Sequence, residues 1–289
     1  MRRFTSFAVI DWSGEAVAQP KGLALAEATT GRSAPALLRP EGGWSRGRIA
    51  DWLEAHADAG TDLLIGVDLS PGLPFLDQGS YFPGWPDSPS DAKPLWRFVD
   101  EASTEDEHLG VNGFLRHEHA HRHFRHHTGT GAAFAGGRGR LRVCEIEQAR
   151  MGLSPSSCLN LVGAAQVGKS SLTGMRVLHR LDGRIPVWPF DPVPATGPVI
   201  VEIYTSIAAR AAGVRKGLSK IRDHVGLNTA LEALGSDQHP GLARHDDHST
   251  DAIVTTAWLR IAAHRPELWS PAALTPELAR AEGWTFGVP

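Results

Sequence analysis

The stretch Phe7-Ala-Val-Ile-Asp11-Trp-Ser-Gly14 is a short apolar run that closes on a carboxylate and enters a turn, and Leu63-Leu-Ile-Gly-Val-Asp68-Leu-Ser-Pro71 repeats that design. A continuous apolar run of this length, bounded by turn residues, reads as a buried strand. If the two strands lie side by side and parallel, their carboxyl ends bring Asp11 and Asp68 within about one strand spacing, roughly 4.8 Å between backbones. Two carboxylates that close repel unless one is protonated or a cation lies between them.

Working outward, Gly22 to Glu27 and Ala36 to Leu38 are shorter apolar segments separated by a Thr-Thr-Gly-Arg-Ser turn, which predicts an antiparallel meander with the first strand. Ser45 to Ala59 places Ile49, Trp52, Leu53 and His56 at helical spacing, with Ser45 as N-cap. From Pro71 to about Val162 the pattern loosens into an irregular insertion rich in His, Arg and Gly. Thr173 to Leu181 reads as a short helix and Val199 to Tyr204 as a further strand, with Glu202 inside its apolar run. Ser249 to Ala263 aligns Ile253, Val254, Ala257, Trp258 and Ile261 in one stripe, predicting an amphipathic helix with Ser249 as N-cap. Three strands, a helix, a strand, an elaborated crossover, a strand and a helix form an α/β order of the RNase H-like type. The expectation is one domain over residues 1–289: a mixed sheet, part antiparallel meander and part parallel, flanked by helices, with residues 71–162 inserted after the fourth strand.

Composition narrows the function classes. The chain has 289 residues, 42% of them hydrophobic, which is enough for a sizeable core. A formal net charge of −3 argues against a surface coated in basic residues, so a polyanionic partner would need a local patch. Cys144 and Cys158 lack metal or redox spacing and read as inert thiols. The absence of a signal-peptide core or a membrane-length apolar run predicts a cytoplasmic protein with no membrane partner; oligomeric state is not legible.

On the last helix, Asp251 lies three and seven residues before Val254 and Trp258, so its carboxylate is expected to face the sheet. Asp11, Asp68 and Asp251 then converge as hard oxygen ligands suited to Mg²⁺ or Mn²⁺. Glu202 is either a fourth ligand or a buried, hydrogen-bonded glutamate, and Asp247 and His248 either reach the same site or cap the helix. Taken singly, each acid is also an ordinary strand-ending or helix-opening residue; their joint placement is what points to one site.

These residues resemble the predicted RNase H-fold nucleases grouped as domain of unknown function 429. The resemblance rests on Val9-Ile-Asp11-Trp-Ser-Gly14, Ile65-Gly-Val-Asp68-Leu-Ser-Pro71, Val199-Ile-Val-Glu202-Ile-Tyr204 and Asp247-His248-Ser-Thr-Asp251-Ala-Ile253. It extends to Leu161-Val-Gly-Ala-Ala-Gln-Val-Gly168, Gly174-Met-Arg-Val-Leu178 and Val187-Trp-Pro-Phe-Asp191. It implies a metal-dependent nuclease hydrolysing phosphodiesters of DNA or RNA, with Asp11, Asp68, Glu202 and Asp251 as the catalytic acids. The histidine-rich tract lies outside that pattern.

Two further segments carry chemistry. Gly163-Ala-Ala-Gln-Val-Gly-Lys169-Ser170 satisfies the letters of a phosphate-binding P-loop, a motif that also requires a buried strand running into the loop and a robust helix leaving it. Leu159 to Val162 is a poor strand and Gly174 interrupts the next helix, so a Gly-rich loop opening a helix is the competing reading. His117 to His127 holds six of the fourteen histidines and reads as a solvated loop, a transition-metal site, or a flap that contacts phosphate through Arg116, Arg122 and Arg125. Arg138, Arg140 and Arg142 extend that flap, Lys169 is a further phosphate contact, and Trp85 or Trp96 can stack bases. The alternatives to a nuclease are a nucleotide-binding phosphotransferase or ATPase, working through the Lys169 loop or an actin-like version of the fold, and a non-catalytic binding module.

Overall fold

The two strand stretches of the sequence become neighbours in a computed structural model, which describes residues 2–163, 167–214 and 220–289. In chain order the elements are β1 (Ser6–Asp11), β2 (Ala24–Thr29), β3 (Ala36–Leu38), α1 (Arg46–Ala59), β4 (Leu63–Val67), α2 (Ala92–Glu101), α3 (Asn112–Arg116), β5 (Arg125–His126) and β6 (Gly129–Thr130). They continue with α4 (Val143–Arg150), α5 (Val167–Arg180), β7 (Val187–Trp188), β8 (Val199–Glu202), α6 (Thr205–Ala211), α7 (His224–Ala233), α8 (Asp247–Ala262), α9 (Pro266–Trp269) and α10 (Pro276–Ala281).

Six strands form one mixed sheet in the order β3-β2-β1-β4-β8-β7. The meander β1-β2-β3 is antiparallel, as the sequence predicts, and β4, β8 and β7 run parallel to β1. Alternate residues serve opposite faces. Ala8, Ile10, Ile65 and Val67 join a core with Ile49 of α1, Leu95 of α2 and Met175 of α5. Phe7, Val9, Leu64 and Val201 join a second core with Ile253 and Trp258 of α8. Both faces of the parallel strands are thereby covered, which is why their sequences are continuously apolar.

Ser45 caps α1, its hydroxyl accepting from the Arg48 amide. The start of α8 differs from the expectation: Asp246, whose carboxylate accepts from the Ser249 amide, is the cap, and Ser249 is buried inside the helix. Asp251 therefore sits in the second turn. The short helix expected at Thr173 also starts earlier, at Val167, and passes through Gly174 unbroken. A Cβ at Gly174 would lie 2.2 Å from the Leu69 side chain, so the glycine lets the loop after β4 pack closely on the helix, where a larger residue would have to displace Leu69.

The segment between β4 and α5 is more regular than the irregular insertion the sequence suggests, since it contains α2, α3, α4 and the β5–β6 hairpin. It is tied back by Arg142, which is 1% exposed. Its guanidinium donates to both carboxylate oxygens of Glu202, to Glu145 and to the Ser70 hydroxyl. Glu282, near the carboxyl terminus, accepts from the Phe75, Leu76 and Val143 amides and completes this lock. Among the described residues no helix is long and apolar enough to cross a membrane.

Arg142→Ala leaves Glu202 and Glu145 buried without their cation, and breaking such a pair costs about 3–5 kcal/mol. Chemical denaturation is expected to show a loss of that size, and a loss below about 1 kcal/mol would remove Arg142 from its role in holding the fold.

Candidate acidic site at the carboxyl ends of the strands

Asp11 ends β1, and Asp68 follows β4 with its amide donating to the Ile10 carbonyl at 3.0 Å, so the parallel pairing continues up to the acids. Because Ile10 and Val67 serve the α5 face, Asp11 and Asp68 turn towards the α8 face, where Asp251 arrives from the helix. These three carboxylates share one end of the sheet, and the charge of Asp11 raises the proton affinity of the other two. Burial, then the repulsion of Asp11 and Asp247, pushes Asp251 up to about 7. Burial, then Asp11, Asp251 and Glu202, holds Asp68 well above the usual carboxylate range. Burial also raises Asp11, against the opposing hydrogen bond from His248. That bond, His248 Nδ1 to Asp11 Oδ2 at 2.9 Å, raises the imidazole in turn.

The turn after β1 is held from three directions. Buried Arg46 donates to the carbonyls of Ser13 and Glu15 at 2.9 and 3.0 Å, and the Trp12 indole donates to the Thr173 hydroxyl at 3.0 Å. Gly14 meets the start of α5, where a Cβ would lie 2.4 Å from the Lys169 backbone. Beside Asp68, a cavity of about 170 Å³ opens between Ser70, Ser156, Ser170 and Tyr204.

The other residues singled out in the sequence divide sharply. Glu202 is the buried, hydrogen-bonded glutamate of the two alternatives: across from Val67 it turns to the opposite face, where Arg142 and the Thr285 hydroxyl hold it. Asp247 is neutralised by Lys220 and Arg222. Arg140 is buried on Asp77 and Arg142 on Glu202, so neither extends a phosphate-binding flap. Trp96 is buried, its indole donating to the Pro71 carbonyl, and presents no stacking face.

Arg116, Arg122 and Arg125 are exposed. The histidine segment around them is folded, not a solvated loop: His119 stacks on Trp85, His117 packs on Phe98, and His123 is buried with its pKa lowered to about 4 by that burial. The buried thiols of Cys144 and Cys158 are free.

Residues 164–166 of the P-loop-like stretch lie outside the described residues. On its far side, the Gly168 amide donates to the Asn160 carbonyl at 3.0 Å and is therefore committed to protein rather than to phosphate. The preceding segment makes only an isolated bridge from Asn160 to Arg125, not a strand of the main sheet.

The donor chemistry of Asp11, Asp68 and Asp251 fits a hard divalent cation, because these are oxygen ligands carrying more negative charge than the adjacent His248 offsets. As they stand, no three His, Cys, Asp or Glu side chains among the described residues are drawn together into a metal-holding group. Searches among family models, curated proteins and solved structures give no match to this chain.

Since burial raises these acids, folding takes up protons between the unfolded and folded pKa values, and stability falls as pH rises through that window. For Asp251 the window runs from about 4 to about 7. Asp251→Asn is expected to raise metal-free stability at pH 8 by on the order of 1–4 kcal/mol, a gain that shrinks at pH 5 and disappears below pH 4. Thermal unfolding at the three pH values reads this directly, and a destabilised variant at pH 8 would contradict the electrostatic assignment.

Proposed function

We propose that the protein is a Mg²⁺- or Mn²⁺-dependent nuclease of RNase H-like fold, hydrolysing phosphodiesters of nucleic acid at Asp11, Asp68 and Asp251. The observation that carries this reading is the placement of Asp11, Asp68 and Asp251 at the carboxyl edge of a parallel strand pair, all with proton affinity raised by burial and Asp11 partnered by the His248 imidazole, while Glu202 and Asp247 nearby each have their own cation. The strand-strand-strand-helix-strand order, followed by a crossover to β8 and a late helix bearing an acid, supports the resemblance to the family known as domain of unknown function 429.

When bound, the divalent ion supplies an activated water and charge compensation for the phosphate. Asp11 and Asp68 would hold it from adjacent strands and Asp251 from the helix. His248 orients the Asp11 carboxylate through its Nδ1 hydrogen bond, and Thr205, 3.5 Å from Asp68, lies on the other flank. Arg142 holds Glu202 on the opposite face of the sheet, which would leave Asp68 to meet a bound ion from its own strand.

Asp11→Asn is expected to reduce Mn²⁺-dependent cleavage of labelled DNA or RNA by roughly 10²–10³-fold, the size of effect seen when one transition-state-stabilising group is lost. Mn²⁺ should also raise the melting temperature of the wild type more than that of the variant. Undiminished cleavage in Asp11→Asn would overturn the assignment.

A further inference from the structure

Two basic cavities flank the acidic edge. On one side, His248, in hydrogen-bond contact with Asp11, also lines a cavity of about 410 Å³ together with Lys21, Arg39 and Trp44. Asp246 is the one acid among that cavity's described lining, and it is held by Ser249. On the other side, the cavity at Asp68 shares Pro155 and Ser156 with a third, of about 340 Å³, lined by Arg125, Arg138 and Phe134 and by no described acid. The order along the edge is therefore basic and aromatic, acidic, then basic and aromatic again.

We propose that these cavities form one track for a single polynucleotide strand that crosses the carboxylates, so that the phosphodiester cleaved is internal. The inference rests on the nuclease reading and adds the direction of attack, endonucleolytic rather than from an end. An enzyme for free nucleotides needs one pocket, and an end-trimming enzyme has no use for cations beyond the terminal position. Here cationic side chains continue on both sides, suited to phosphates before and after the scissile one. Concave pockets with an aromatic side chain at each end suit unstacked bases better than a rigid duplex. The acidic middle admits the polyanion once a divalent ion offsets it, which links strand passage to metal loading. In the reaction the oxygen of a water joins phosphorus, the bond to the leaving sugar oxygen breaks, and that oxygen takes up a proton. The products are one phosphate end and one hydroxyl end, with no other reactant.

The test uses covalently closed single-stranded circles of DNA and of RNA, which have no ends, beside linear strands of the same sequence, all with Mn²⁺. The wild type is expected to open a circle. The double variants Lys21→Ala/Arg39→Ala and Arg125→Ala/Arg138→Ala are each expected to slow opening at least tenfold. Each should also flatten the dependence of log affinity on log salt by about 1 to 1.5, as the loss of two single-strand phosphate contacts requires. Mn²⁺ affinity measured by calorimetry should stay at the wild-type value, since neither pair holds the ion. Cleavage of linear strands with circles left intact would overturn the track and leave the nuclease reading standing. Unchanged opening in either double variant would also overturn it. Cleavage of neither substrate would bring down the nuclease reading and the track together.

Discussion

The parallel pairing of β1 with β4 is the contact on which everything else depends. Its register sets Ile10 beside Val67, and the amide of Asp68 then reaches back to the Ile10 carbonyl. One alternation step further along each strand, both carboxylates emerge on the same face. A slip of one residue would send Asp68 to the α5 side and put Val67 among acids, so the apolar pattern that secures the core also aims the acids. The flanking elements serve this pairing: α8 covers one face and delivers Asp251, and α5 covers the other and closes against Gly14.

The fold treats its buried acids in two ways. Glu202, Glu145 and Glu282 are enclosed with Arg142 and with backbone amides, and they act as fasteners between β8, the long inserted segment and the carboxyl-terminal stretch. Asp11, Asp68 and Asp251 receive much less: one imidazole on Asp11, one distant hydroxyl on Asp68, and burial that raises all three. Leaving like charges uncompensated costs stability. Carrying that cost in one place, while pairing Glu202 and Asp247 with cations of their own, is the arrangement expected of a candidate functional site.

Much of this was legible in the residues. Apolar runs closing on aspartate reported the strands, their turns and the acidic edge, because burial on both faces leaves an unmistakable pattern. The meander and α1 followed from turn residues and the Ser45 cap. What escaped were features decided by distant partners. Nothing local to Glu202 announces Arg142, sixty residues earlier. Gly174 looked like a helix breaker because its partner, Leu69, lies across the core. Ser249 looked like a cap because Asp246 one turn earlier fits the same role. The histidine tract looked solvated because its stacking on Trp85 and Phe98 is a tertiary contact. Lys21, Arg39 and Trp44 sit in ordinary loop sequence and gain meaning only from their place beside His248.

The most direct test of the central claim, that the three carboxylates are a divalent-cation site kept partly protonated until loaded, is calorimetric titration of Mn²⁺ at pH 6 in two buffers of different ionisation enthalpy. The difference in apparent heat counts the protons released. The account predicts saturable binding with release of at least about one proton per ion, since an ion displaces the protons that burial retains on these acids. Binding without proton release, or no binding, would contradict it.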